Sequence, residues 1–483
     1  MQTRQLQYLN EMRFGATAPA TSGMKLPAKA SLNLPENPDM LFADHCCHVR
    51  LITTVAEFDA LEEDWNKLLQ VSKSTVFQTF EWQRTWWKYQ SSPQDRLHIL
   101  LFTLDNRIIG IAPLYRTRRR VFGLPLLRHL QFIGHKLSDY VDFIIQDGKE
   151  HIVLNTFVRH LLGTRNEWDV FDIEDVNEGS SSVKFLPGIL ENHGLSCYLY
   201  QGNVCPWISL QASGRTDGRQ SDPTASYNFK RKFKRLQQNF ASSVEAFQHE
   251  SDDIQRAVEM FADVHGQRWK SQGYPSAFDD EQFRQYHVEF SRKLARRGWL
   301  RMHFLKVDGL PVAVNYSFNY GNRIYMYHSN AHGTEEVMKC SPGYLIRSIA
   351  MSEGINEGMT VFDFLRGDET YKYKEWNATD SKNFLVRVSP PSLRGRIRFA
   401  LFLAVEISAK AQDRVVREYY EFRRFRITER PNIAQEIRYV VNKVSDLGVL
   451  GYNFVIRHIP FERIRALQIE RTSKHHKAPE QAA

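Results

Sequence analysis

The chain is short of the features that usually announce chemistry. Its five cysteines, Cys46, Cys47, Cys197, Cys205 and Cys340, are too few and too scattered for a disulfide framework, and no two are spaced CxxC. No HExxH and no carboxylate cluster at metal-ligand spacing is present, so no metal is expected. A GxSxG elbow, a P-loop and a GxGxxG turn are all missing, and Cys340 has no uniquely placed His/Asp partner. These absences argue against an acyl-enzyme hydrolase, an ATPase and a dehydrogenase. No apolar run reaches spanning length either. The strongest, 399–405 within 397–409, is closed by Glu406 and flanked by arginines. Residues 1–40 lack a signal-peptide core and are punctuated by prolines at 19, 27, 35 and 38, which reads as a poorly ordered leader on a cytoplasmic protein.

What is present belongs to a globular chain. With 483 residues, 42% hydrophobic and 25% charged, it exceeds what one hydrophobic core serves, so two domains, or two plus a tail, are expected. The net charge of +9 favours an acidic partner: a phosphorylated cofactor, a nucleic acid or an anionic membrane face.

Along the chain, strand and helix patterns alternate, the signature of an α/β fold. Strand 48–53 leads to a helix at 55–69, and a second helix at 79–89 carries Trp82 and Trp86 four apart, on one core-facing stripe. Strands 97–104 and 107–115 join at Asp105 and Asn106; further strands are expected at 130–133, 140–145 and 170–173, with a helix at 152–162. The hairpin returns at 302–307 and 311–320 around Asp308 and Gly309, and Gly110 then falls on Ala313. Residues 140–144 also look like 361–365, so duplicated lobes are expected. The Gly, Ser, Thr and Asp-rich stretch 211–225 reads as a linker. Beyond Pro391 the sequence turns to arginine-rich helices.

The densest polar and aromatic cluster is 363–376. Asp363 sits in a strand between Phe362 and Phe364, where a carboxylate is costly unless paired, and Arg366 and Lys372 are its neighbours in sequence. This cluster either locks the last strand through ion pairs or lines a substrate site. Cys340, Ser341, Pro342 and Gly343 precede a helix from Tyr344, leaving backbone N–H groups free to cradle a pyrophosphate. His265, on the helix 254–270, is a candidate base, although a lone helical histidine is more often structural.

The order of these elements resembles the GNAT-related acyltransferases of the CelD/BcsL type, which are similar in architecture to the FemAB-type peptidyltransferases. The resemblance rests on Phe80, Trp82 and Trp86, on 110–114, and on Ser138, Asp139, Tyr140 and Asp142. In the second half it rests on 230–236, 309–313, Pro342, Gly343, 363–367, Tyr371, Lys372 and Trp376. It implies two tandem GNAT-like lobes with mixed central sheets. The expected boundaries are a leader at 1–46, lobes at 47–210 and 227–390 around a linker at 211–226, and a basic helical appendage at 391–483.

It also implies transfer of an acyl group from a thioester, acyl-CoA as cosubstrate, to an amine, with no permanently bound cofactor. The acceptor is expected on a small molecule, a sugar or an envelope polysaccharide precursor. The family's phosphate loop has the form R/Q-x-x-G-x-G/A, whereas 335–343 offers Lys339, Pro342 and a single glycine. A charged-tRNA donor and a non-catalytic scaffold therefore stand as alternatives, and nucleic acid enters only through that tRNA. Asp363, Arg366, His265 and Lys372 are the expected catalytic residues. Lys339, Ser341, Pro342, Gly343 and Tyr344 are expected to bind the cosubstrate in a cleft between strands 323–328 and 360–365. Trp269, Asn315, Tyr325, Tyr371, Trp376 and Asp139 are the expected substrate contacts. The basic stretch 394–426 is read as packing on the second lobe or a partner, with peripheral contact to the inner face of an anionic membrane as the alternative.

Overall fold

The computed structural model describes residues 47–121, 124–211, 222–429 and 435. The expected leader, most of the linker and nearly all of the sequence beyond 429 lie outside the described residues. The first lobe runs β1 (His48–Ile52), α1 (Val55–Asp59), α2 (Glu62–Gln70), α3 (Phe80–Gln90), β2 (Arg96–Leu97), β3 (Ile99–Leu104), β4 (Arg107–Ala112), β5 (Leu114–Val121), β6 (Leu124–Phe132), β7 (Ile144–Ile145), α4 (Glu150–Gly163), β8 (Val170–Asn177), α5 (Ser181–Asn192) and β9 (Ser196–Ser209). The second runs α6 (Tyr227–Asn239), β10 (Ser242–Phe247), α7 (Ile254–Ser271), α8 (Glu281–Arg296), β11 (Leu300–Val307), β12 (Leu310–Tyr320), β13 (Arg323–Ala331), α9 (Glu335–Met338), α10 (Pro342–Asn356), β14 (Val361–Asp363), α11 (Thr370–Trp376) and β15 (Thr379–Ser389), followed by α12 (Leu393–Glu429).

Eleven strands form one mixed sheet in the order β10-β11-β12-β13-β14-β9-β15-β8-β6-β5-β2, and β1-β3-β4-β7 form a smaller one. The lobes exchange their last strands: β9 pairs with β14 of the second lobe, β15 pairs with β8 of the first, and β9 and β15 pair with each other. Read outward from that centre, each half meets a short parallel pair, β14 with β13 on one side and β8 with β6 on the other.

The duplication expected from the hairpins is visible in backbone detail. Asp105, Asn106, Asp308 and Gly309 all have positive φ, as tight two-residue hairpin turns require. Each hairpin then slips register at the same place, so that Phe102 faces Gly110 and Leu305 faces Ala313. Gly110 is needed there, because a Cβ would come within 2.8 Å of Val153 on α4. The other proposed repeat has a different register. Val361-Phe362-Asp363 corresponds in the sheet to Val170-Phe171-Asp172, since Asp363 faces Tyr325 as Asp172 faces Gln131 across the parallel pairs. Of the strand expected at 140–145, only Ile144 and Ile145 are paired as β7.

The two lobes also share a core. Trp82 is fully buried, donates from Nε1 to Ser138 Oγ (2.8 Å), and packs on Phe290 of α8 and Tyr327 of β13. The start of α12 is part of the same body. Phe399 and Phe402 are buried against Leu127, Val170 and Tyr198, Arg398 binds Asp169 and Arg119 binds Glu406. The compact unit holding both lobes extends to Ser408, and the phenylalanines of the apolar run pack against the first lobe. The described residues from Ala409 on form a second unit with Gln272–Tyr274, in which the Tyr274 hydroxyl donates to Glu421. No helix among the described residues is long and apolar enough to cross a membrane.

Candidate functional site

The site expected between β13 and β14 begins where those strands separate. They pair only through Arg323↔Val361, Ile324↔Phe362 and Tyr325↔Asp363, while β13 continues to Ala331. After Asp363 the chain turns away along β9: Phe364 N–H donates to Pro206 O and Gly367 N–H to Val204 O, both at 2.9 Å. Leu365 takes a left-handed φ of 56° to make that turn. A register shift opposite Tyr316 and Ser317 places Tyr327 and His328 together in the aromatic core and turns Ser329 toward α10.

The start of α10 supplies the rest. Pro342 occupies its first turn and has no N–H, and Ser341 before it has φ 57° and forms no side-chain cap; Tyr344 and Leu345 N–H both donate to Ser341 O (3.0 and 3.2 Å), which leaves Gly343 N–H as the first-turn donor for a ligand. Lys232 of α6 donates to Ser341 Oγ (2.8 Å) and lies 4.8 Å from the centre of the Tyr344 ring. Tyr344 stacks on Trp376 at 5.1 Å. Arg347, one turn along α10, is buried; it donates to Ser329 Oγ (3.2 Å) and Glu375 (3.5 Å), and its guanidinium lies 4.4 Å from the centre of the Tyr371 ring. Two donors, Arg347 Nε and Trp376 Nε1, are buried with no partner. An unpaired buried donor costs about 1–3 kcal/mol, so an added acceptor at these two N–H groups would be stabilising. With Lys232 and the helix start beside them, that acceptor is best an anion, and a phosphate of acyl-CoA fits the donor set. Gly343 keeps the approach open, since a Cβ would lie 3.3 Å from Arg347 Nη1.

The residues singled out from sequence fall into distinct places. Asp363 is fully buried and accepts from Tyr140 (2.9 Å), Arg323 (2.7 Å) and the Leu365 N–H (2.8 Å); burial pushes its pKa up against the pull of Arg323. Arg366 binds Asp139, Asp175 (3.1 Å) and Ser138 O (2.5 Å). Burial opposes its charge, and the two aspartates more than offset that. Lys372 is buried under the turn, donating to Gly367 O (2.9 Å) and binding Glu369 (2.8 Å). These three hold the turn beside the slot. His265 is buried among Phe261, Phe278 and His328, with Nδ1 2.9 Å from Ser276 Oγ, and Trp269 stands next to it. Tyr325 packs on Phe77 and Tyr140. Asn315 is wholly buried across from His303, and Lys339 points away into an ion pair with Glu335 (2.7 Å). Ser341, Pro342, Gly343, Tyr344, Tyr371 and Trp376 do come together. Sequence reasoning missed Arg347, Ser329 and Arg323. A lone arginine amid Leu345, Ile346 and Ile349 was the available signal for Arg347.

Residues 224–373 match the family described as acetyltransferase (GNAT) domain, so the second lobe carries a GNAT-type acyltransferase fold. No curated protein matches the chain in sequence. Among solved structures, the chain is similar to FemX at 12% identity, covering 70% of this chain and 96% of that one with a TM-score of 0.49. It is also similar to L-PGS from Bacillus licheniformis (10% identity, 71% and 95% covered, TM-score 0.41). A tandem GNAT protein from the clavulanic acid biosynthesis pathway shows the same degree of likeness (10% identity, 71% and 100% covered, TM-score 0.40).

Proposed function

We propose that this protein transfers an acyl group from acyl-CoA to an amine, with the phosphates held at the start of α10. The observation that carries this reading is the pair of buried, unpartnered donors Arg347 Nε and Trp376 Nε1 beside Lys232 and the first turn of the helix. The splayed strands give the thioester arm a path past Ser329 and Tyr371. In a direct transfer the amine nitrogen attacks the carbonyl carbon, the C–N bond forms as the C–S bond breaks, and the amine proton leaves as the thiol is released. His265, fixed through Nδ1 by Ser276, is the proposed proton acceptor. Asp363, Arg366 and Lys372 are positioning residues, and Asp139 acts through Arg366. A sugar or envelope precursor is the finer form of the acceptor.

One observation favours a second reading, a charged-tRNA donor: α6 presents Lys230, Arg231, Lys234 and Arg235 to solvent next to Lys232. Thiol release with acetyl-CoA and a panel of amines, run beside transfer from aminoacyl-tRNA, separates the two. Amine-dependent thiol release that falls with Arg347→Met and Lys232→Met supports the first. Transfer from tRNA alone replaces it with the second.

A further inference from the structure

The outer face of α12 is unusual for a helix on a protein surface. Its inner face lies on the first lobe through Phe399 and Phe402, with Glu406 held by Arg119. Leu393, Ile397 and Leu401, spaced four apart, form a stripe on the other side and are 76%, 55% and 37% exposed. Ala400 and Ala404 are exposed beside them. From Leu393 to Val405 the helix is therefore apolar on both faces, a pattern that belongs to helices covered on both. The first lobe covers one.

The charge around the stripe is of one sign. From Ser381 to Val405 the chain contains no Asp or Glu. Arg394 and Arg396 are exposed with no ion-pair partner among the described residues, and at about 100° per residue they fall on either side of the stripe. Arg118 and Arg120, next in sequence to the Arg119 that holds Glu406, are likewise exposed and unpaired among the described residues. Aliphatic side chains edged by arginines suit the boundary between acyl chains and anionic headgroups, where the apolar groups enter the lipid and the guanidinium groups meet phosphate. A second copy of this chain is a poorer fit. The stripe runs only about 12 Å at 1.5 Å per residue, and three aliphatic side chains fall short of the roughly 800 Å² per partner that a stable interface buries.

We propose that the outer face of α12, from Leu393 to Ala404, is a peripheral contact surface for an anionic lipid bilayer, lying in the headgroup plane without crossing it. The contact involves neither an acyl donor nor an acceptor, so it stands apart from the proposed transfer.

The test is co-sedimentation of the full chain with vesicles of phosphatidylglycerol and phosphatidylcholine, against vesicles of phosphatidylcholine alone. The chain should partition onto the anionic vesicles at least about tenfold more strongly. Leu393→Ser/Ile397→Ser, which removes apolar surface without changing charge, and Arg394→Glu/Arg396→Glu should each lower that partition at least about tenfold. Both should keep the melting temperature, because all four side chains are exposed. Arg159→Glu/Arg165→Glu makes the same change in net charge at α4, which covers the other face of the sheet, and should bind as the unsubstituted chain does. Equal partition onto both vesicle types, no binding to either, indifference to either α12 double variant, or an equal loss in the α4 variant would overturn the proposal. So would a dimer that Leu393→Ser/Ile397→Ser converts to monomer in analytical ultracentrifugation, which would give this face to a second copy.

Discussion

Arg366 and Asp175 occupy equivalent positions in the two lobes, each three residues beyond the aspartate that closes a parallel strand pair, and they bind each other at 3.1 Å. Asp363 and Asp172 are themselves equivalent, and each is met by a basic residue two positions back across the pair: Arg323 at 2.7 Å and His129 at 2.8 Å. A duplicated fold has thus placed opposite charges at matching points, so that the lobes lock where their exchanged strands meet.

Arg366→Met should therefore act on both lobes. It strands Asp139 and Asp175, and removing one partner of a buried ion group costs about 3–5 kcal/mol. Urea unfolding of Arg366→Met, Asp139→Asn and the double variant should show the double variant less destabilised than the sum of the singles.

Asp363→Asn tests whether this carboxylate reacts or positions. Arg323 and Tyr140 lose their acceptor, so stability should fall by about 3 kcal/mol. Thiol release per folded molecule, measured well below the variant's melting temperature, should stay within a few-fold of the parent. A loss of several orders of magnitude in a folded variant would restore Asp363 to catalysis.

The start of α12 belongs to the first lobe's core. Phe402→Ala removes a wholly buried ring that packs on His129 and should cost about 3–5 kcal/mol. A chain ending at Ser389 should unfold at lower denaturant than the full chain, because Val170 and Leu127 lose their cover. Equal midpoints would contradict this packing.

Acid should weaken the fold through buried histidines. Burial lowers the pKa of His98 and of His135 to about 4, from an ordinary 6.5. Between those values the unfolded chain binds more protons, so stability rises with pH across the window. The contribution is complete above 6.5 and is lost as pH falls through 4. For His98 it amounts to about 3 kcal/mol. His98→Gln should flatten the slope of unfolding free energy against pH between 6.5 and 4, while an unchanged slope would show the ring to be solvated.

Much of the fold was legible because its signals are local. The turn residues Asp105-Asn106 and Asp308-Gly309 marked both hairpins, and Trp82 and Trp86 marked a buried helix face. The exchanged strands were not legible. β9 carries Gly202 and Pro206, and the alternation of β15 is interrupted by a register shift, so neither has a clean period of two. The repeat of Val361-Phe362-Asp363 with Val170-Phe171-Asp172 was in plain sight, but only strand pairing distinguishes it from the similar run at 140–144. At the site, the helix start at Pro342 was readable from composition. Arg347 was not, because its role depends on Ser329 turning toward α10 at a bulge set by another strand.

The central claim is that the start of α10 receives the phosphates of acyl-CoA. Calorimetric titration of the full chain with acetyl-CoA tests it most directly, alongside Arg347→Met and Lys232→Met. The account predicts one saturable site in the parent chain and at least about a tenfold loss of affinity in each variant. Absence of binding in the parent, or equal affinity in all three proteins, would contradict it.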